Sequence, residues 1–249
     1  MIFRSGRWTE DELDRLIQQT AAIGRAGERI AFISEQFLGI PYRQSTLIGN
    51  ERIPENLVID LDGMDCFTLL DYVEAMRMSS SLVDFPLLLQ RVRYHGGVVT
   101  YRTRNHFFTG WIVYNTGFVT DVTAEIGQGK TVAVQKELNR RADGTFLLEG
   151  IDARVRSFNV LPAGAINEEV ASNMRTGDYA GIYSEMEGLD VSHVGIVIRR
   201  QNKLFLRHAS SAPEAKAVID QDFLEYMNNR PGLIVLRPLD MPVKISECR

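Results

Sequence analysis

Cys66 lies in the stretch GMDCFTLLDYVEAMR, where an acidic turn runs into a helical pattern. Asp65 has the side chain of a helix N-cap, so we expect Cys66 in the first turn of a helix that extends to Met78. A thiol there feels the positive end of the helix dipole and the free N–H groups of the first turn, and both lower its pKa. The position therefore indicates a nucleophile, although a packed thiol and a metal ligand fit the same residue.

The base that a nucleophilic cysteine needs must come from four histidines: His95, His106, His193 and His208. The last two lie on neighbouring strand-like runs, SHVGIVIRR and KLFLRHASS, which predict an antiparallel hairpin turning at Gln201-Asn202. If the loop has two or four residues centred there, Gly195 opposes His208. The side-chain period of two then puts His193, Gly195 and His208 on one face of the sheet, with the glycine leaving space beside the rings.

Two imidazoles on one sheet face have a direct use beside a thiol. His193 would take the thiol proton and later protonate a leaving amine, and His208 would fix the tautomer of His193 through a hydrogen bond. The backbone N–H of Cys66 is a natural oxyanion donor. The residues alone thus favour a cysteine hydrolase. A zinc site formed by Cys66, Asp65 and both histidines is an alternative, as is a structural thiol.

The elements that must position these residues are helices in the first part of the chain and strands in the later part. Helices are expected over LDRLIQQTAAIGRAGERIAFISEQFLG (broken near Gly24 or Gly27), Cys66–Met78, 85–94 and DQDFLEYMNNRPG. Strands are expected over VVTYR, FFTGWIVY, FVTDVT, GDYAGIYS, SHVGIVIRR, KLFLRHASS and LIVLRPL, with a hairpin turn at residues 115–117. Residues 42–62 read as an extended loop, and 130–166 as poorly periodic with short strands. This order predicts an α+β fold in a single domain, residues 1–249.

Composition places the chain among ordinary globular proteins, with 45% hydrophobic and 24% charged residues and a net charge of −4. No basic run with interleaved aromatics occurs, which argues against nucleic acid as a partner. No apolar stretch approaches the roughly 18 residues of a membrane span. The sequence does not indicate an oligomeric state.

Two further features bear on the cell compartment. Cys66 and Cys248 lie far apart and form neither a disulfide framework nor a CxxC pair. The start, MIFRSGRWTEDELD, has no apolar signal core. The expected location is therefore the cytoplasm, or the periplasm or cell envelope if a signal peptide has been trimmed.

Five motifs carry a resemblance to a known superfamily. They are FLGIPY (37–42), MDCFT (64–68), GDYAGIY (177–183), SHVGIVI (192–198) and LRHASS (206–211). Their order resembles that of the NlpC/p60 cysteine peptidases, which have a papain-like core with a catalytic Cys at a helix start, packed on an antiparallel sheet. The resemblance implies that Cys66 is the nucleophile, His193 the base and His208 the third member. It also implies that Tyr42 lines the site.

Two departures narrow the resemblance. The gap between Cys66 and His193 is longer than in ordinary NlpC/p60 domains and contains RYHGGVVTYRTRNHFFTGWI, and Cys-Phe-Thr replaces the usual Cys-Ser-Gly. Both features are similar to the N-acetylmuramoyl-L-alanine amidase-like branch, once a domain of unknown function. That similarity spans about residues 31–238. It implies N-terminal helices packed on a central antiparallel sheet, with residues 95–170 as an inserted subregion.

The branch implies hydrolysis of the amide between N-acetylmuramic acid and L-Ala, without metal or cofactor, on a peptidoglycan stem peptide or muropeptide. Ordinary NlpC/p60 enzymes instead cut between D-Glu and the diamino acid. That endopeptidase activity and a non-catalytic peptidoglycan-binding domain remain alternatives.

Substrate-binding candidates follow from the same resemblance and from charge. Arg102, Arg104 or Lys130 could pair with stem-peptide carboxylates. The full candidate set is Tyr42, Asp65, Arg104, Asn105, His106, Trp111 and Ser192, with Trp111 expected to pack against sugar or peptide. Alternatively, Tyr101, Phe107, Phe108 and Trp111 fill a second small core.

Overall fold

The computed structural model describes residues 1–241 and leaves out the segment that contains Cys248. Within that range the α-helices are α1 (Glu10–Ala21), α2 (Ala26–Glu35), α3 (Cys66–Met78), α4 (Asp84–Arg93), α5 (Phe108–Tyr114), α6 (Thr123–Gly127), α7 (Glu168–Ser172) and α8 (Phe223–Met227). The strands are β1 (Ile2–Arg4), β2 (Val58–Asp60), β3 (Val119–Asp121), β4 (Val132–Leu138), β5 (Arg154–Pro162), β6 (Tyr179–Tyr183), β7 (Val191–Arg200), β8 (Lys203–Ala209), β9 (Val218–Asp222) and β10 (Gly232–Pro238). None of the helices between residues 1 and 241 is both long and apolar enough to cross a membrane.

One large antiparallel sheet organises the described chain, with strand order β4-β5-β10-β6-β7-β8-β9 and β3 paired with β10. β1 and β2 form a separate parallel pair. The long helices precede the sheet in sequence, and α3 packs on β7 and β8. The structure is therefore a mixed α+β protein with a large antiparallel sheet, as the element order predicted.

The hairpin of β7 and β8 has the predicted register. Arg200 pairs with Lys203 across a two-residue loop, and the ladder continues to Ile196 and Arg207. The same register carried one step further places Gly195 opposite His208. This pairing puts both histidines on one face, because side chains alternate along a strand.

The opposite face of β7 carries the apolar core that holds α3. Val194, Ile196 and Ile198 are almost fully buried there, as predicted, and join a cluster that includes Leu69 and Val73 of α3. Burial of such side chains contributes about 1.5–3 kcal/mol each. The core thus fixes the start of α3 relative to β7.

The space beside Gly195 is filled rather than open. A Cβ at this position would lie 2.7 Å from Cδ1 of Leu206 and 3.0 Å from the carbonyl oxygen of Arg207. The glycine is needed for close packing between strands, and the expectation of free space beside the rings is wrong. Leu206 takes that space because it lies on the same sheet face as His208.

Buried polar contacts also anchor α3. Asp71 pairs with Arg93 of α4 at 2.8 Å and accepts a 3.2 Å hydrogen bond from Nε1 of Trp111. One turn later, Glu74 accepts a 2.6 Å hydrogen bond from the hydroxyl of Tyr179 on β6. Because both carboxylates are buried with cationic or hydroxyl partners, they tie the helix to its neighbours.

The segment FFTGWIVY is a helix, α5, and not the predicted strand. Its first turn is held by Asp190, whose Oδ2 accepts hydrogen bonds from the backbone N–H of Thr109 at 2.6 Å and from its hydroxyl at 2.8 Å. This acceptor lies 81 residues away in the sequence, so local pattern could not reveal it. The turn at residues 115–117 therefore joins a helix to β3 and does not join two strands.

Other expected elements also differ. VVTYR forms a 3-10 turn, Tyr101–Thr103, capped by the Thr100 hydroxyl. The expected loop 42–62 contains the buried strand β2, whose partner β1 lies at the start of the chain. DQDFLEYMNNRPG begins with the end of β9 before α8 starts, and 130–166 holds the long β4–β5 hairpin. The 3-10 turn and strand β2 have three residues each, which is too few for a periodic pattern.

Candidate active site

Cys66 is the first residue of α3, as predicted. Asp65 is the N-cap: its Oδ1 accepts a 2.8 Å hydrogen bond from the backbone N–H of Thr68, and the Thr68 hydroxyl accepts a 3.0 Å bond from the Asp65 N–H. This reciprocal capping box fixes the first turn. Asp65 was a substrate-binding candidate, but the capping box uses its carboxylate to hold the start of the helix.

The half-buried Cys66 thiol is not acidified by its position. Burial, reinforced by the negative charge of Asp65, raises the pKa of Cys66 to about 12. Hydrogen bonds from the backbone amides of Val194, Cys66 and Phe67 oppose this rise without overcoming it. The expectation that the helix start lowers the pKa of Cys66 is therefore wrong, because desolvation outweighs the hydrogen bonds from the first turn.

The backbone contact to Val194 locates the thiol. Val194 follows His193 on β7, so Cys66 lies beside the strand position that carries the first histidine. The amides of Cys66 and Phe67 are free N–H groups of the first helical turn. They point to the sulfur from the helix side while Val194 approaches from the sheet side.

The two histidines are in contact, as the hairpin register predicted. Nε2 of His193 lies 2.7 Å from Nδ1 of His208, and the ring planes are nearly perpendicular, at 89°. One nitrogen donates and the other accepts, so each ring selects the tautomer of its neighbour. Burial, together with the charges of His208 and Arg230, lowers the pKa of His193 to about 3, so this ring is neutral at pH 7.

His208 is the more deeply buried ring. Burial lowers its pKa to about 4, while the side chain of Gln221 opposes the shift. Its Nε2 has no hydrogen-bonding partner of good geometry within the described residues, although the Gln221 amide lies close enough to affect the pKa. Gln221 belongs to β9, which pairs with β8, so it lies on the same sheet edge as His208.

Sequence reasoning missed a residue pair that covers the histidines. The ring of Tyr226 in α8 lies 5.2 Å from His208 and 6.3 Å from His193, measured between ring centroids. The guanidinium of Arg230 lies over the Tyr226 ring, 4.5 Å from its centroid. The i, i+4 spacing of Tyr226 and Arg230 was the available signal, but nothing local related it to the histidines.

Two of the candidate substrate-binding residues lie beside the cysteine and histidines. Tyr42 bridges to Met64, two residues before Cys66, and burial with the charges of Cys66 and Asp65 raises the pKa of its hydroxyl. Ser192 is exposed on β7 next to His193, and its hydroxyl donates a long, 3.4 Å hydrogen bond to the carbonyl of Ile182. Both are therefore placed where a bound substrate could touch them.

Three other candidates line a separate cavity in the inserted region: Arg104, Asn105 and His106. Their polar groups are already engaged. Arg104 pairs with Glu55 at 2.9 Å, the Asn105 amide donates to the carbonyl of Val92 at 3.0 Å, and Nε2 of His106 is 2.7 Å from the carbonyl oxygen of Tyr101. Burial lowers the pKa of His106 to about 4. These residues shape the cavity wall.

Trp111 is not part of a cleft wall. The side chain is fully buried, its ring packs edge-on against Tyr179 at 5.8 Å, and its N–H is bound to Asp71. The expectation that it packs against sugar or peptide is corrected, because the indole forms part of the core between α3 and α5. The alternative interpretation placed Trp111 and Phe108 in a second small core; both are fully buried, but they belong to the main core that also holds α3.

Metal ligation was an alternative for the cysteine. Across residues 1–241, no three histidine, cysteine or acidic side chains are grouped in a way that would hold a metal ion. The thiol of Cys66 contacts backbone amides, one of them that of Val194, the residue after His193, and His193 in turn contacts His208. A thiol and a pair of neutral imidazoles are components of nucleophilic catalysis.

Comparison with known proteins places these observations in a family. The profile of the N-acetylmuramoyl-L-alanine amidase-like family matches residues 32–233. No curated protein matches the chain significantly in sequence. The matched range includes Cys66, His193 and His208, together with the inserted region.

Solved structures share the fold over most of the chain. A protein of Legionella pneumophila, assigned to a domain family of unknown function, superposes with a TM-score of 0.79 at 23% identity, over 95% of this chain and 96% of its own. An N-acetylmuramoyl-L-alanine amidase of Bacteroides uniformis superposes with a TM-score of 0.72 at 26% sequence identity, over 86% of this chain and 99% of its own. A Bacteroides fragilis protein described as a candidate xylanase superposes with a TM-score of 0.66 at 25% sequence identity, over 82% of this chain and 98% of its own.

Proposed function

Because the chain belongs to the N-acetylmuramoyl-L-alanine amidase-like family, we propose that it is a cysteine amidase that acts on peptidoglycan fragments. The bond cleaved is the amide between the lactyl group of N-acetylmuramic acid and L-Ala of the stem peptide. The observation that supports the cysteine mechanism is the 2.7 Å contact between His193 of β7 and His208 of β8, next to Val194 of β7, whose backbone amide donates to the Cys66 thiol. The same arrangement supports a papain-like core of the NlpC/p60 type.

The tautomers of the histidine pair suit this role. If Nε2 of His193 donates to Nδ1 of His208, then Nδ1 of His193 has a free lone pair. This nitrogen accepts the thiol proton when substrate arrives. His208 in turn carries its proton on Nε2, because its Nδ1 accepts from His193 in this arrangement. His208 is thus a positioning residue that holds His193 in the base form.

The first chemical step is attack of the Cys66 sulfur on the lactyl carbonyl carbon. The thiol proton moves to His193, and negative charge develops on the carbonyl oxygen. We assign the stabilisation of that charge to the backbone amides of Cys66 and Phe67 at the start of α3, which donate to the sulfur before substrate binds. When the C–N bond breaks, His193 gives the proton to the departing L-Ala amine, which leaves a lactyl thioester on Cys66.

The second step is hydrolysis of the thioester. His193, neutral again, takes a proton from water as the water oxygen attacks the thioester carbonyl. The C–S bond then breaks, the sulfur recovers the proton held by His193, and the released lactyl carboxylic acid loses its own proton to solvent. Since the pKa of Cys66 is raised and that of His193 lowered, both groups start neutral, and proton transfer accompanies attack instead of preceding it.

The family and the printed name of the Bacteroides uniformis structure support the sugar–peptide amide as the bond. The nearest competitor is the bond between D-Glu and the diamino acid, which the same cysteine and histidines could cleave. Mass spectrometry of products from a defined muropeptide separates the two. A free sugar plus an intact stem peptide supports the proposal, whereas a sugar that retains L-Ala-D-Glu would establish the endopeptidase.

The mechanism needs a second measurement. Iodoacetamide should abolish turnover, and a chelator should leave it unchanged; the opposite pattern would identify a metal hydrolase. Absence of any cleavage by a folded protein that still binds muropeptides would instead identify a binding domain.

A further inference from the structure

A cavity of about 300 Å³ lies in the inserted region, outside the group formed by Cys66, His193 and His208. Its wall contains an unusual concentration of cations, and we call it the arginine cavity. The residues that matter for its charge are Arg102, Arg104, Arg154, Arg156, Asp152 and Tyr114.

Three of the four arginines have no ion-pair partner within residues 1–241. Arg104 is paired with Glu55 at 2.9 Å. Arg102 and Arg156 form no ion pair with any residue between 1 and 241. Asp152 is the single acidic side chain on the described wall. A concave site with surplus guanidinium groups attracts and binds carboxylates or other anions.

The wall is also rigid. The Arg104 guanidinium lies 5.1 Å from the Tyr101 ring centroid and donates a 3.3 Å hydrogen bond to the carbonyl of Gly49. On another side, the Tyr114 ring is stacked on His95 at 3.8 Å, and its hydroxyl is bound to Arg154. Because Arg104, Arg154 and Tyr114 are held before any ligand arrives, binding costs little conformational entropy at these three side chains.

Helix α5 connects the cavity to the catalytic elements. Gly110 and Tyr114 of α5 line the cavity. On the other side of the helix, Thr109 is bound to Asp190 just before β7, and Trp111 is bound to Asp71 of α3. The cavity therefore keeps a fixed position relative to the strand that carries His193 and the helix that carries Cys66.

We propose that the arginine cavity binds a free carboxylate of the stem peptide, so that Arg102 and Arg156 select acidic, uncapped peptides as substrates. This inference rests on the proposed function for the identity of the peptide. The carboxylate would accept hydrogen bonds from the guanidinium groups. Because α5 is bonded to α3 and to the residue before β7, a peptide bound in the cavity would be held at a fixed position relative to Cys66 and His193.

The test separates binding from turnover. The Cys66→Ala protein is titrated calorimetrically with the tripeptide L-Ala-γ-D-Glu-diaminopimelate and with the same tripeptide in which the carboxylates are amidated. We expect the free acid to bind at least about tenfold more tightly, a difference typical of charge-assisted hydrogen bonds. Arg156→Gln and Arg102→Gln should each remove most of that difference.

Arg15→Gln is the matched control, because Arg15 is an exposed arginine on α1 that does not line the cavity. Thermal melts check that each variant is folded. Because the Arg102 side chain is exposed, Arg102→Gln should not disturb the packing of the core. Equal binding of acid and amide, or equal effects of Arg156→Gln and Arg15→Gln, would overturn the assignment. Arginine-dependent binding by a protein that cleaves no muropeptide would support the cavity and refute the amidase.

Discussion

His193 and His208 share a 2.7 Å contact between Nε2 of the first ring and Nδ1 of the second, with the rings almost perpendicular. The contact joins diagonal positions of the β7–β8 hairpin. In the proposed mechanism it leaves Nδ1 of His193 free to accept the thiol proton of Cys66. The pair also lies under Tyr226, so its geometry is fixed from two elements, a hairpin and the short helix α8.

Cys66→Ser should abolish turnover on muropeptides and leave the fold unchanged, because a serine hydroxyl next to a neutral imidazole is a much weaker nucleophile here than the thiol. The measurement is product formation by chromatography, with circular dichroism and thermal melting as the check on folding. Cys248→Ser is the matched control and should retain full activity. Substantial turnover by Cys66→Ser would remove Cys66 from the mechanism.

His193→Ala should lower kcat/KM by about 10²–10⁴, the usual contribution of a positioned general base. His208→Ala should cost less, because it removes orientation and leaves the proton acceptor in place. Gln221→Ala should have the smallest effect, since Gln221 acts on His208 alone. The measurement is steady-state kinetics on one muropeptide, and the reverse ranking of the two histidines would contradict the assigned roles.

The rate of Cys66 alkylation by iodoacetamide should keep rising between pH 6 and 9, by about tenfold per pH unit. Burial raises the pKa of Cys66 to about 12, so the thiolate fraction grows with pH throughout this range. The experiment uses Cys248→Ser protein, in which mass spectrometry reports on Cys66 alone. A plateau above pH 7 would mean that a thiolate–imidazolium pair already exists in the free protein.

Arg230→Gln should move the acid limb of kcat/KM to higher pH. The Arg230 cation is one of the causes that lower the pKa of His193 to about 3, after burial and the charge of His208. Removing the cation makes the imidazolium less unfavourable, so the pKa rises and the base becomes protonated at a higher pH. Arg15→Gln, remote from the histidines, should leave the limb in place. A downward shift in Arg230→Gln would contradict the electrostatic role.

Asp71→Asn should reduce the free energy of unfolding by about 3–5 kcal/mol, because it leaves the buried guanidinium of Arg93 without its carboxylate. The measurement is urea denaturation at pH 7. The matched control is Glu169→Gln, which breaks the exposed 3.0 Å pair with Lys130 and should cost less than ~1 kcal/mol. Similar losses in the two variants would show that Asp71 does not anchor α3.

Local sequence was sufficient for the elements closest to the proposed chemistry. Asp65 and Thr68 specify the start of α3 through a capping box, and the Gln201-Asn202 turn with alternating residues specifies the hairpin register. In both cases the interacting residues lie within a few positions of each other or across one short loop. Their relationship therefore follows from helix and strand geometry alone.

The inserted region could not be read in this way. FFTGWIVY has an apolar run that suits a strand, yet Asp190 caps it as helix α5 and Trp111 is drawn into the core by Asp71. Likewise, the arginine cavity combines α5 with the far end of the β4–β5 hairpin. Contacts between residues so far apart in sequence leave no periodic signal.

By itself, then, the sequence determined which thiol begins a helix, which two imidazoles share a face, and the family to which the chain belongs. The tertiary structure alone decided the protonation states, because the pKa values of Cys66 and His193 depend first on burial. It also decided that Trp111 is core, that Leu206 fills the space beside Gly195, and that Tyr226 and Arg230 cover the histidines. Desolvation and packing are properties of the assembled chain, and no single segment carries them.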